Sequence, residues 1–203
     1  MSATQYFVPE TTALLLIDHQ VGTMQLIKNL PLEQVQRHTL ALAKLARLLG
    51  MPIVLTSSQE DRFQGLLMPE LATLLPVEYA ARVRRQGIAN AWDDPAFVAA
   101  VRATNRPNLL MAGVTTDVCV VFPAISAVAA GYGVQVVLDA GGSPFALSEQ
   151  MAQQRMQAGG VVLTTTITAF AELVRDWTRD DGKPQALLFD AVLGPVLAAG
   201  SGS

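Results

Sequence analysis

Cysteine is almost missing from this 203-residue chain: Cys119 is alone, and there are only two histidines. One thiol excludes an internal disulfide, and without a CxxC pair there is no signature for zinc or dithiol redox chemistry. His19 and His38 lack ligand spacing, so no required metal is expected. Charge is also sparse. Charged residues make up 15% of the chain, with a formal net charge of −3. The basic residues are scattered apart from Arg82, Arg84 and Arg85, which leaves no footprint for a phosphate backbone and argues against nucleic acid as a partner. The longest apolar run, ALLLI at 13–17, is far too short to cross a bilayer, so no membrane partner is expected. The opening MSATQYFVPETT lacks a basic region followed by an apolar core, so it does not read as a signal peptide, and a cytoplasmic location is expected. No G-x-G-x-x-G or phosphate-loop pattern opens a helix, so no cofactor is expected.

What the chain does have is apolar bulk, 51% of its residues. That is enough for one domain spanning 1–203, with a core over about 11–178 and a C-terminal extension over 179–203. The closing AAGSGS reads as a flexible end or an appended tail. So apolar and weakly charged a chain predicts a homo-oligomer that covers part of its surface.

Short β-branched runs alternate with helical periodicities. TALLLID (12–18) has the pattern of a buried strand, and Val35, Leu42, Leu45 and Leu49 then recur on one helical face. Gly50 and Pro52 end that helix before the strand PIVLTSS (52–58). A weak extended segment is predicted over 79–83, followed by a helix capped by Asp93 with Pro95 in its first turn. Strand NLLMAGV (108–114), helix 117–131, strand VQVVLDA (134–140), helix 148–158 capped by Ser148, strand VVLTT (161–165) and helix 168–178 complete the pattern. Continuously apolar strands separated by helices predict a three-layer α/β/α fold, doubly wound, with a mainly parallel sheet of about six strands.

Ligands of such sheets gather at the carboxyl ends of the strands. Asp18, Thr56 to Ser58, Cys119 and Asp139 all fall there. Thr115 or Thr116 is positioned to cap the next helix, with Asp117 in its first turn. Cys119 then lies in or beside that turn, where unpaired amides would favour a thiolate. Pro123, four residues on, has no N–H to offer the Cys119 carbonyl, so the helix is expected to be irregular at the thiol. The competing reading is an inert small hydrophobe among Val118, Val120 and Val121.

These residues resemble the isochorismatase-like, or cysteine hydrolase, family. The segments LLLIDHQ, NAWDD, AGVTTDVCVVFPA and RDW resemble its YcaC-like branch. The resemblance covers about residues 11–177 and implies a catalytic triad of aspartate, lysine and cysteine. Asp18 matches the aspartate and Cys119 the cysteine, while arginine stands at the lysine position. Arg85 aligns best there, with Arg82 and Arg84 as the other candidates. Arginine stays charged, so it could hold an aspartate and a thiolate but could not shuttle a proton. The resemblance further implies a cis peptide at Val114–Thr115, an oxyanion met by the backbone of Thr115 and Cys119, and an octamer. Gln20, Ser57, Trp92 and Thr115 are candidates for the substrate pocket, together with loop residues near 59–67. His19, next to Asp18, is expected to point away into a structural role.

Two function classes follow from this. One is a small-molecule hydrolase that cleaves an amide or carbamoyl-type C–N bond through a thioester on Cys119. The other is a catalytically weak or silent relative that serves as an oligomeric binding or structural protein. Oxidation of a low-pKa thiol is a third possibility.

Overall fold

The computed structural model describes residues 6–200; the end of the AAGSGS tail, 201–203, lies outside the described residues. Strands β1 (Thr12–Ile17), β2 (Ile53–Ser58), β3 (Val83–Arg85), β4 (Asn108–Gly113), β5 (Gly133–Val137) and β6 (Val162–Thr164) form a sheet ordered β3-β2-β1-β4-β5-β6. Every pairing is parallel. Helices cover both faces, giving a three-layer, doubly wound α/β fold.

The apolar runs become strands that are buried on both sides. All six residues of β1 are buried. Leu14 and Leu16 enter one core, while Ala13, Leu15 and Ile17 enter the other, because successive side chains leave opposite faces of a strand. On the first face, α1 (Leu32–Leu48) buries Val35, Leu42 and Leu45. Gly50, at φ +65°, turns the chain after α1 towards β2.

Several boundaries differ from expectation. The extended segment predicted over 79–83 is displaced: Pro69–Leu74 (α2) and Pro76–Ala80 (α3) are helical, and β3 begins only at Val83. A proline at the first position of each helix sets φ for helix entry, and this outweighs the weak strand signal of Tyr79. The cap of α4 (Pro95–Ala103) is Asp94, not Asp93; its carboxylate accepts from the amides of Ala96 at 2.8 Å and Phe97 at 3.3 Å. The helix α5 (Val121–Ala129) is preceded by a π-helical turn over Thr116–Val120. Helix α6 (Ala146–Ala158) starts before Ser148, whose hydroxyl donates to the Phe145 carbonyl instead of capping. Thr165 caps α7 (Thr166–Val174). Beyond position 178, where no element was predicted, α8 (Lys183–Leu188) and α9 (Gly194–Gly200) follow. Leu188 and Val192 from this region join the core beneath α1.

The strand order reverses between β1 and β4. At such a switch point the following helices leave on opposite faces and open a crevice beyond the strand ends. Asp18 follows β1 and the Val114–Thr115 pair follows β4, so the sequence candidates meet at this crevice. Gly113 makes the approach possible: a Cβ there would lie 2.6 Å from the Ile17 carbonyl oxygen and 2.8 Å from Val120 Cγ2.

Candidate active site

Asp18 leaves β1 in a left-handed conformation, φ 56°. Its amide donates to the Thr56 carbonyl at 3.0 Å, and its carbonyl accepts from the Gln20 amide at 2.7 Å. This turn directs the carboxylate to Arg85, the last residue of β3. Arg85 and Asp18 are each 1% exposed. Arg85 Nη2 donates to Asp18 Oδ1 at 2.5 Å and also to Oδ2. The rest of the guanidinium is committed as well, with Nε donating to Thr56 Oγ1 at 3.0 Å and Nη1 to the Ile88 carbonyl at 2.8 Å. Arginine is therefore held on three sides as a fixed cation. The other arginines lie apart: Arg82 forms a fork with Glu60, and Arg84 is exposed.

Cys119 comes from the π-helical turn. The peptide bond Val114–Thr115 is cis. The Thr115 carbonyl accepts the amides of Cys119 at 2.8 Å and Val120 at 3.3 Å. The second of these spans five residues, which defines the bulge, a feature common at functional sites. Asp18 and Cys119 line the same cavity, close enough for the carboxylate to raise the thiol's proton affinity.

The electrostatics correct one expectation. The Cys119 thiol is pushed up to about 12, first by burial and then by the Asp18 charge, which outweigh Arg85 and the turn's backbone. Helix amides that would favour a thiolate at an exposed position do not offset this desolvation. Asp18 is raised from the ordinary carboxylate range by burial, with the Arg85 charge pulling it back down. The resting site is thus a neutral thiol beside a basic, cation-bound carboxylate.

A cavity of about 270 Å³ opens onto these groups, below the volume usual for drug-sized ligands. Of the predicted pocket residues, Gln20 and Thr115 line it. Gln20 also ties its wall together, accepting from the Ser58 amide at 2.8 Å and donating to the carbonyls of Ser58, at 2.9 Å, and Gly65. Ser57 does not line it: it is fully buried, and its hydroxyl donates to Glu60 at 2.7 Å because strand alternation points it to the other face. Trp92 does not line it either; it packs edge-on against Phe97 and Tyr132. The Cys119 amide, expected at an oxyanion, is occupied by the Thr115 carbonyl. Asp139 turns away to His38 Nδ1 at 3.0 Å and to the amide and hydroxyl of Thr166, both at 2.8 Å. His19 is buried and neutral, pushed down to about 4 by desolvation, with Nε2 donating to the Ala140 carbonyl at 2.9 Å.

Loop residues Gln59, Phe63 and Gln64 form one wall, as anticipated for 59–67, whereas Thr23, Ile88 and Val118 escaped the sequence reading. The wall is seated against Gly22, where a Cβ would lie 1.7 Å from the Phe63 carbonyl oxygen. No group of three or more metal-binding side chains exists among the described residues.

Known proteins share this arrangement of chain and fold. A family model described as the isochorismatase domain matches residues 12–168. The "Probable hydrolase YcaC" of Escherichia coli is 41% identical over 178 residues, covering 87% of this chain and 84% of that protein. A structure of YcaC from Pseudomonas aeruginosa, described with hexane-2,5-diol and covalent acrylamide, superposes with a TM-score of 0.91 at 36% identity and full coverage of both chains. The E. coli YcaC structure, described as an octameric hydrolase of unknown specificity, gives 0.91 at 35% identity and covers 99% of this chain and 98% of that one. With its fold and nearly its whole length matched in this way, the chain belongs to the isochorismatase family of hydrolases, on its YcaC-like branch.

Proposed function

We propose that the chain is a cysteine hydrolase that cleaves the C–N bond of a small amide or carbamoyl compound, with Cys119 as nucleophile, Asp18 as proton carrier and Arg85 as a fixed cation. The observation that carries this reading is the convergence of thiol, carboxylate and guanidinium at one small cavity, with Asp18 bonded to Arg85 and its charge felt by the Cys119 thiol. In the first step the thiol proton passes to Asp18 as sulfur bonds to the carbonyl carbon. Protonated Asp18 then gives that proton to the nitrogen as the C–N bond breaks, leaving a thioester. Asp18 next takes a proton from water, whose oxygen attacks the thioester. The C–S bond breaks, the acid leaves and the proton returns to sulfur. A carboxylate raised by burial suits both directions of transfer. Arg85 prevents the carboxylate from becoming an unpaired buried charge and moves no proton. The oxyanion is assigned to the Thr115 amide, with the Cys119 N–H shared between the Thr115 carbonyl and the intermediate.

The covalent acrylamide described for the P. aeruginosa relative supports a nucleophile in this branch. The octamer described for the E. coli relative supports a homo-oligomer here. Exposed apolar side chains fit that assembly, among them Phe63, Leu66, Phe145 and Leu147.

The test is ammonia release from a panel of small amides and carbamoyl compounds. Cys119→Ala and Asp18→Asn should each lower turnover by about three orders of magnitude or more. Turnover that survives Cys119→Ala would overturn the covalent route. Arginine in place of lysine favours the alternative of a silent binding protein. A panel that binds but yields no ammonia and no acyl-enzyme by intact mass would support it.

A further inference from the structure

Two residues that line the cavity carry polar atoms that the proposed chemistry does not use. Thr23 is 5% exposed, and its hydroxyl is buried with no hydrogen-bond partner. Gln64 Nε2 donates to Gln59 Oε1 at 2.9 Å, which leaves Gln64 Oε1 buried and unpartnered. Both residues line the same cavity as Asp18 and Cys119. An unmet buried polar atom is costly, and such groups in a site commonly find their partners in a ligand. The remaining lining is largely apolar, with Leu26, Phe63, Ile88 and Val118.

Charge narrows the class further. Among the residues that line the cavity, Asp18 and Arg85 are the only ones charged at neutral pH. Arg85 spends all three guanidinium nitrogens on Asp18, Thr56 and Ile88. No cation remains to receive a substrate carboxylate, and the Asp18 charge is already neutralised, so a substrate ammonium gains little.

We propose that Thr23 and Gln64 are substrate-binding residues and that they select a small uncharged amide over its acid or amine counterparts. Gln64 Oε1 accepts an N–H of the ligand, and the Thr23 hydroxyl bonds a second polar atom. The apolar wall covers a short hydrocarbon portion. This rests on the hydrolase reading for the identity of the reacting group, but binding is measured apart from turnover.

The experiment uses the full chain carrying Cys119→Ala, which binds without reacting, and calorimetric titration with isobutyramide, isobutyrate and isobutylamine. The amide should bind at least tenfold more tightly than either charged compound. Adding Thr23→Val or Gln64→Leu should weaken the amide about tenfold each, while Thr23→Ser, which keeps the hydroxyl, should bind within about twofold of the parent. Thermal unfolding of each variant checks that it is folded, and Thr23→Ser and Gln64→Asn provide milder second variants. Failure of the amide to bind, equal binding of isobutyrate, or amide binding unchanged in both apolar variants would each overturn the proposal. Selective amide binding without hydrolysis by the unmodified chain would instead count against the hydrolase reading and leave this one standing.

Discussion

A thiol pushed up to about 12 keeps its proton at neutral pH, so Cys119 should be a sluggish nucleophile until a substrate allows proton transfer. Alkylation by iodoacetamide should be slow at about pH 7 and rise about tenfold per pH unit through pH 10 without levelling. A plateau near the ordinary thiol value of about 8.5 would contradict this. Asp18→Asn removes the second-largest cause of the shift, so it should lower the thiol pKa and speed alkylation at pH 8 while abolishing turnover. Activation and basicity thus separate: the carboxylate that makes the free thiol unreactive is the group proposed to deprotonate it.

His19 is the second group at this scale with a pH signature. Its folded value of about 4 lies below the 6.5 of the unfolded chain, so acid favours unfolding. Its contribution is fully present above about pH 6.5 and is lost as pH falls through 4. By linkage the loss approaches about 3 kcal/mol. Urea denaturation across that range should show the fall, and His19→Gln should flatten it.

At the scale of elements, the Asp18–Arg85 pair joins the end of β1 to the end of β3 across β2. Arg85→Ala would leave a buried carboxylate unpaired and should destabilise the chain by about 3–5 kcal/mol. Asp18 is raised already, so its effect on stability is most favourable below the unfolded pKa and is lost as pH rises. Without Arg85 that loss grows, and the deficit measured by denaturant should be larger at pH 8 than at pH 5. Adding Asp18→Asn should restore part of the stability, and a deficit independent of pH would refute the account. The loop wall depends on a different contact. Gly22→Ala must displace the Phe63 backbone, since its Cβ would lie 1.7 Å from that carbonyl oxygen. We expect amide binding to weaken at least tenfold while the sheet persists by circular dichroism.

For the whole molecule, the apolar surface should be covered by copies of the chain. Light scattering is expected to give a mass eight times the 21.6 kDa of one chain, and a monomer at micromolar concentration would contradict the proposed assembly. No helix among the described residues is long and apolar enough to cross a membrane.

The apolar strands and their parallel pairing were legible in the sequence because burial on both faces demands uninterrupted apolar runs, as in TALLLI and NLLMAG, whereas the short, charged β3 was not. Asp18 and Cys119 were legible for the same reason: each sits where a strong local pattern ends, and the switch between β1 and β4 brings those ends together. Tertiary structure decided what depends on distant atoms. The course of the 59–67 loop over Gly22 chose Gln64 and left Ser57 facing Glu60. The packing of Trp92 on Tyr132 removed it from the cavity. Desolvation by the whole crevice, which no local run of residues encodes, overrode the helix amides and left the proton on sulfur.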